Sequence, residues 1–250
     1  MSPDDLNDAP APRSDPAQQG GAPSSEADRI AQRYARRTGA DRYSPLQPDV
    51  ACTLHERQRA MLALWRAAGW QELASRRIVE VGSGAGGNLL ELLRLGASPE
   101  LLTGIELLPD RHAQAQRLLP AAVTLLQGDA TQADLAPASV DMVLASTVFS
   151  SLLQPATRQA LAAAMWRWLR PGGAVLWYDF TVDNPRNADV RGVTLHEVQA
   201  LFPQGRITHR RVTLAPPLAR PLCRLHTSLY TAFNAVPLLR THVLAWIAKP

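Results

Sequence analysis

The apolar positions of this chain change period along its length, and the changes mark out its elements. From about residue 77, short aliphatic runs alternate with stretches in which apolar residues recur every three or four positions. The runs predict strands over 78–81, 101–105, 123–127, 140–145, 174–180, 206–214 and 241–248. The stretches between them predict a helix ending near 95 and others over 110–119, 155–169 and 194–201. This alternation predicts an α/β fold, a mostly parallel sheet covered by helices on both faces. Arg170-Pro171-Gly172-Gly173 reads as a helix stop followed by a loop.

Two helices are predicted ahead of the first strand. One over 27–37 carries Ile30 and Tyr34 on one side and ends at Thr38-Gly39, as a glycine C-cap would. The other runs from Pro48 or Val50 to Ala68, with Leu54, Met61, Leu62, Leu64 and Trp65 apolar, and Gly69 closes it. They read equally as a lid over a ligand cleft and as helices packed on a sheet edge. Residues 1–25 hold one leucine and no aromatic residue, too little apolar surface to offset ordering entropy, and are expected to be a disordered tail. Near the other end Leu218, Leu222, Leu225, Leu229 and Phe233 recur at helical spacing and predict a helical insert over about 216–239. The expected organisation is a tail over 1–25, a helical cap over 26–75 and one domain over 76–250.

The stretch Ile78-Val79-Glu80-Val81-Gly82-Ser83-Gly84-Ala85-Gly86-Gly87-Asn88-Leu89-Leu90 joins a buried strand to a helix through spaced glycines. Such a turn leaves backbone N–H groups bare at a helix N-terminus, where an anionic or carboxylate-bearing ligand is favoured. Gly82, Gly84 and Gly87 satisfy G-x-G-x-x-G, and Gly82, Gly84 and Gly86 satisfy G-x-G-x-G. Glu106, ending the second strand, sits where an acid accepts hydrogen bonds from ribose hydroxyls in either cofactor class. These residues leave a nicotinamide dinucleotide and other nucleoside cofactors equally open. Three more features stand in order along the chain: Glu80 before the first glycine, Gly128-Asp129-Ala130 after the third strand, and Leu169 to Gly173 before the fifth.

With this set the chain from about 77 to 250 resembles the class I S-adenosylmethionine-dependent methyltransferases, Glu80 to Gly86 being similar to their first motif. The resemblance implies a doubly wound, Rossmann-like, seven-stranded sheet, mostly parallel with an antiparallel final strand, and S-adenosylmethionine as cofactor. It also implies that Gly82, Ser83, Gly84 and Gly86, with Glu80, receive the methionine moiety and that Glu106 binds the ribose with Leu107 beside it. Asp129 would then contact the adenine amino group, Ala130 would flank the adenine, and Ser146 would complete the cofactor set. The stretch from Tyr178 to Arg191, with Ala215 to Arg220 and Arg240-Thr241-His242, is similar to a bacterial methyltransferase subgroup often encoded beside glycan-assembly genes. The expected activity is methyl transfer to a small-molecule acceptor, acidic or glycan-linked, at an oxygen of a saccharide. Two rivals stand beside it: an NAD(P)-dependent oxidoreductase using the same glycines, and a non-catalytic binding or scaffold protein that retains the fold.

A hydroxyl acceptor needs a proton sink, and Asp179, His196 and His55 are the candidates. Tyr178-Asp179-Phe180, running into Asp183-Asn184-Pro185-Arg186-Asn187 and then Asp189-Val190-Arg191, offers polar groups to an acceptor, or its loop forms turns of its own. Ala145-Ser146-Thr147-Val148-Phe149 lacks the Asp/Asn-Pro-Pro-aromatic motif of methyltransferases acting on base or glutamine amino groups. Neither cysteine precedes a proline, as the nucleophile for cytosine C5 would. Nucleic acid is therefore not an expected partner.

Charge modifies this picture at the two ends. The chain carries 26 Lys+Arg and 22 Asp+Glu, net +4. Asp4, Asp5, Asp8 and Asp15 stand against Arg13 in residues 1–25, so the rest is distinctly basic. From Val198 onward there is no acidic residue, whereas Arg206, Arg210, Arg211, Arg220, Arg224, Arg240 and Lys249 are all present. That block reads as a solvated basic face, a holder of an acidic substrate, or a peripheral contact with an anionic membrane. Cys52 and Cys223 form no C-x-x-C pattern, so neither a disulfide framework nor a metal site is expected, and a cytoplasmic setting fits. No run is long and apolar enough to predict a membrane span or a secretory signal.

Overall fold

The computed structural model describes residues 26–36, 44–183 and 187–250. The tail expected over 1–25, the cap at Thr38-Gly39 and Asn184-Pro185-Arg186 lie outside the described residues. In chain order the elements are α1 (Glu26–Ala35), α2 (Pro48–Ala67), β1 (Ile78–Val81), α3 (Gly87–Arg94), β2 (Leu102–Glu106), α4 (Pro109–Leu118), β3 (Thr124–Gln127) and β4 (Val140–Ser146). Then follow α5 (Pro155–Trp168), β5 (Leu169–Phe180), α6 (Leu195–Leu201), β6 (Arg206–Leu214), α7 (Pro216–Leu225), α8 (Thr227–Asn234) and β7 (Arg240–Ala248).

The seven strands form one sheet in the order β3-β2-β1-β4-β5-β7-β6. β1 to β5 pair in parallel, and β7 lies antiparallel to both β5 and β6. Strand order reverses between β1 and β4, the place where open α/β sheets bind ligands beyond their carboxyl ends. The alternation of side chains then sorts the core. Ile78, Met142, Leu176 and Trp246 pack with Met61, Leu64 and Trp65 of α2 and Leu89 of α3. Val79, Val143, Trp177 and Ile247 face the other way, against Leu161, Met165 and Trp168 of α5. α2 is thus part of the core on its face of the sheet: Leu64 is fully buried, and Leu64→Ala would cost about 3 kcal/mol.

The structure departs from the sequence reading in two places. Arg170 to Gly173 is not a loop, because β5 begins at Leu169 and passes through it with a register shift between Val140 and Met142. Gly172 at φ 76 makes that irregularity possible, and its N–H donates to Lys249 O while Lys249 N–H donates to Gly173 O, which holds the strand together. The insert after β6 is two helices rather than one. His226 takes an extended backbone (φ −165) and its side chain accepts from Ser228 N–H, so α7 stops and α8 starts there.

Candidate active site

The glycine turn after β1 is shaped by close contacts. Gly82 adopts φ 64, and a Cβ there would come within 2.8 Å of Val148 Cγ2. Gly86 adopts φ 87, and its Cβ would meet Leu119 at 2.8 Å. Any side chain at either position therefore meets both backbone strain and a collision. Glu106 fixes the turn from β2: Oε2 accepts from Gly84 N–H at 2.7 Å and Oε1 from Leu108 N–H at 2.8 Å. A carboxylate has lone pairs left after two such bonds, so Glu106 remains able to accept from hydroxyls of a ligand.

Above this turn lies a cavity of about 140 Å³. Six residues expected at a cofactor line it: Gly82, Glu106, Leu107, Asp129, Ala130 and Ser146. Asp129 is exposed and spends only Oδ1 on Thr131 N–H, at 2.8 Å. Glu80, Ser83, Gly84 and Gly86 do not line the cavity and lie around the turn itself. Ser83 N–H donates to Ile105 O, and Gly86 N–H donates to Ser83 O. α1 contributes the opposite wall through Ile30 and Tyr34, and Arg111 lies 4.6 Å over the Tyr34 ring. α1 is fastened by Arg33, which donates to Ser151 O at 2.9 Å and pairs with Glu26 at 3.0 Å.

Glu80 is the most perturbed acid of this region. It is completely buried on the α2 side of β1, and burial pushes its pKa up to about 8. Asn88 Nδ2 donates to Oε1 at 2.6 Å, whereas Oε2 is buried without a hydrogen-bond partner. Asn88 in turn accepts from Arg57 of α2 at 2.6 Å, and Arg57 also pairs with Glu91 at 3.2 Å and donates to Ser146 at 3.4 Å. A small cavity of about 10 Å³ lies here, lined by Arg57, Asn88, Ser146 and Tyr178. Ser146 is common to both cavities and marks where they meet.

Tyr178 anchors the second cavity. Its backbone carbonyl accepts from Thr147 N–H at 2.7 Å, and its hydroxyl lies 2.8 Å from Thr213 Oγ1. Thr147 and Thr213 adopt φ 54 and 67, values that a β-branched residue holds only where its surroundings force it. His242 stacks on the Tyr178 ring at 5.0 Å, and burial together with the Arg57 charge lowers its pKa to about 4, so it is neutral at physiological pH. Behind it, the buried Glu56 carboxylate of α2 accepts from Thr213 N–H (2.9 Å), Tyr230 OH (2.7 Å) and Asn234 Nδ2 (2.7 Å), joining α2 to β6 and α8.

The three side chains expected as proton acceptors lie elsewhere. Asp179 is buried, its pKa pushed up to about 6, and its oxygens accept from Ser150 N–H and Phe180 N–H, both at 3.0 Å. His55 and His196 are exposed, and none of the three lines either cavity. In the loop after β5, Asp183 accepts from Gly192 N–H, Asn187 from Asp189 N–H, Asp189 pairs with Arg36, and Arg191 with Glu197. Arg57 and Asn88 are absent from the expected site, whereas Tyr178 opens the expected acceptor stretch and His242 falls in a quoted stretch without an expected role; all four meet here. They come together from α2, α3, β5 and β7, and no local motif joins them.

Among the described residues no helix is long and apolar enough to cross a membrane, and no group of three or more metal-ligating side chains occurs. Residues 78–173 match the family model described as a methyltransferase domain. No curated protein matches the chain. Among solved structures, the geranyl diphosphate C-methyltransferase of Streptomyces coelicolor is similar over 92% of this chain and 100% of its own, with 15% identity and a TM-score of 0.62. A possible histamine N-methyltransferase of Thermotoga maritima covers 89% and 99% at 14% identity and TM-score 0.58. An S-adenosylmethionine-dependent methyltransferase of Mesorhizobium loti covers 76% and 98% at 16% identity and TM-score 0.57. At such identities the likeness is one of fold, and the acceptors that two of the descriptions name, geranyl diphosphate and, as a possibility, histamine, differ. The matched segment runs from β1 into the bulged start of β5, so it holds the glycine turn, Glu106, Asp129 and Ser146.

Proposed function

We propose that this S-adenosylmethionine-dependent methyltransferase methylates an oxygen of a small acceptor, a saccharide or glycan-linked intermediate, at the junction of its two cavities. The residues fit the cofactor on three counts. The glycine turn packs tightly on Val148 and Leu119 and brings Gly82 to the cavity wall, Glu106 and Asp129 keep free lone pairs at the larger cavity, and that cavity runs from β2 and β3 to Ser146. The cofactor, when bound, supplies an electrophilic methyl on a sulfonium.

The chain's own residues supply alignment, exclusion of water and a proton acceptor. Ser146 stands at the junction, Tyr178 is held beneath it from both ends, and His242 is kept neutral against the Tyr178 ring. His242 stands behind the Tyr178 ring and lines neither cavity while Arg57 is in place; it is the proposed acceptor of the hydroxyl proton once Arg57 has left. The cavity beside Arg57 has room for about one water, so acceptor binding on that side requires Arg57 to leave Asn88 and Ser146. The observation that carries this reading is the pair of left-handed threonines clamping Tyr178, because such strain persists where a surrounding site depends on it.

The cap α1, the polar loop after β5 and the residues Asp179, His55 and His196 stay outside this proton path; Asp179 is read as support for the turn at Phe149–Ser151. The test is transfer of a labelled methyl from S-adenosylmethionine into a panel of sugar and nucleotide-sugar acceptors, with product structure read by NMR. An O-methyl sugar, with His242→Ala flattening the pH profile of kcat, supports the reading. N- or C-methyl products contradict the acceptor assignment, and a thermal shift with NAD(P) alone contradicts the cofactor.

A further inference from the structure

We propose that the α7–α8 insert docks this enzyme onto an anionic lipid surface, with its leucines entering the headgroup layer and its arginines against the lipid phosphates. The first observation is apolar exposure. Of eight exposed large hydrophobic residues among the described ones, Leu218, Leu225, Phe233, Val236 and Leu238 fall in this one segment. Leu225 is 79% exposed and Leu238 87%, far beyond what a packed insert needs to present to water. Other faces of the same helices are well packed, through Ala219, Cys223 and Tyr230, so the exposure is not a sign of loose folding.

Charge complementarity selects the partner. Arg220 and Arg224 lie on α7 itself, and β6, which leads into it, carries Arg210 and Arg211, in a stretch without an acidic residue from Val198 onward. Of the four, only Arg220 is paired among the described residues, with Asp49 at 3.8 Å. Leucines flanked by unneutralised arginines match the two layers of an anionic membrane surface, whereas an acidic protein groove would answer the charges and leave the leucines in water.

Topology gives the contact a purpose. β6 runs parallel to β5, so Leu214, from which α7 starts, lies on the same edge of the sheet as the glycine turn and Ser146. A bilayer touching α7–α8 faces the mouth of the cleft.

The test is cosedimentation of the full chain with vesicles of phosphatidylcholine alone and of phosphatidylcholine with a third of phosphatidylglycerol. Binding is expected to the anionic vesicles only, weakened by salt. Arg224→Glu is expected to lower it by about fivefold and the double variant Leu225→Ser, Leu238→Ser by roughly tenfold, with melting temperature and methyl transfer to a soluble acceptor unchanged. A nitrobenzoxadiazole label on Leu238→Cys is expected to shift to the blue with anionic vesicles. Absence of binding, equal binding to neutral vesicles, or undiminished binding by folded variants would overturn the proposal, as would a stable dimer in sedimentation velocity that the leucine substitutions dissolve.

Discussion

The two halves of the sheet's carboxyl edge are built by different means. On the side of β1, β2 and β3 the site is made from turns that each follow one strand: the glycines after β1, Glu106 and Leu107 after β2, Asp129 and Ala130 after β3. On the side of β5, β7 and β6 it is made from contacts between distant parts of the chain. Arg57 reaches Ser146 across 89 positions, Tyr178 meets Thr213 across 35, and Glu56 meets Asn234 across 178. Backbone geometry fixes the first half, and buried polar pairing fixes the second. The first therefore tolerates no side chain where a glycine stands, and the second tolerates no loss of a partner.

The largest effect is expected where one carboxylate ties three elements. Glu56→Ala leaves Thr213 N–H, Tyr230 OH and Asn234 Nδ2 without their acceptor and should lower stability by about 3 kcal/mol in urea titration. A loss under roughly 1 kcal/mol would mean that the acceptor half is held by packing instead. On the cofactor side, Gly82→Ala meets strain at φ 64 and Val148 at 2.8 Å. It should weaken S-adenosylhomocysteine about 50-fold in calorimetry and lower stability by about 2 kcal/mol. A variant that binds normally would break the contrast between the halves.

Arg57→Ala separates binding from chemistry. It removes the bonds to Asn88 and Ser146 and should change KM for the acceptor by about tenfold in steady-state assays, while the affinity for S-adenosylhomocysteine stays within about twofold. A loss of cofactor affinity instead would move Arg57 to the other half of the site.

The smallest effect is a slope with pH. Burial raises the pKa of Glu80 to about 8, so from the ordinary carboxylate range up to that value the folded protein holds a proton that the unfolded chain has released. Its contribution is therefore present at low pH and lost as pH rises through about 8. Asp179, raised to about 6, and His242, lowered to about 4 from 6.5, still contribute at pH 6.5, with opposite signs that partly offset, and both tails fade by about pH 7.5. Between pH 6.5 and 8, stability in urea should fall by about 1 kcal/mol per unit, and Glu80→Gln should flatten the slope. An unchanged slope in the variant would assign it to another group.

The same contrast decides what can be read from the sequence. The alternation of strands and helices follows from periodicity, and the antiparallel last strand and the residues around the first cavity from the family resemblance, which local motifs carry because Gly82, Glu106 and Asp129 each stand next to the end of a strand. Arg57 carries no such mark and His242 only its place in the Arg240-Thr241-His242 likeness: one sits in an amphipathic helix and the other near the start of a strand, and only the packing of α2 over β5 and β7 brings them to Tyr178. Asp179 stands out in the sequence beside Tyr178, yet strand alternation turns it to the opposite face, where two backbone N–H groups occupy it. The bulge at Gly172 was hidden for a related reason, since Pro-Gly-Gly marks a turn unless a neighbouring strand, here at Lys249, supplies pairing.

Titration of S-adenosylhomocysteine into the wild-type protein and into Asp129→Ala bears on all of this. Asp129 is exposed and holds only Thr131 N–H, so its removal changes the ligand's contacts with little effect on the fold. Saturable one-to-one binding by the wild type and roughly tenfold weaker binding by the variant, at equal melting temperatures, are expected. No heat with S-adenosylhomocysteine, alongside saturable binding of NAD or NADP, would contradict the assignment of this edge to a methyl donor.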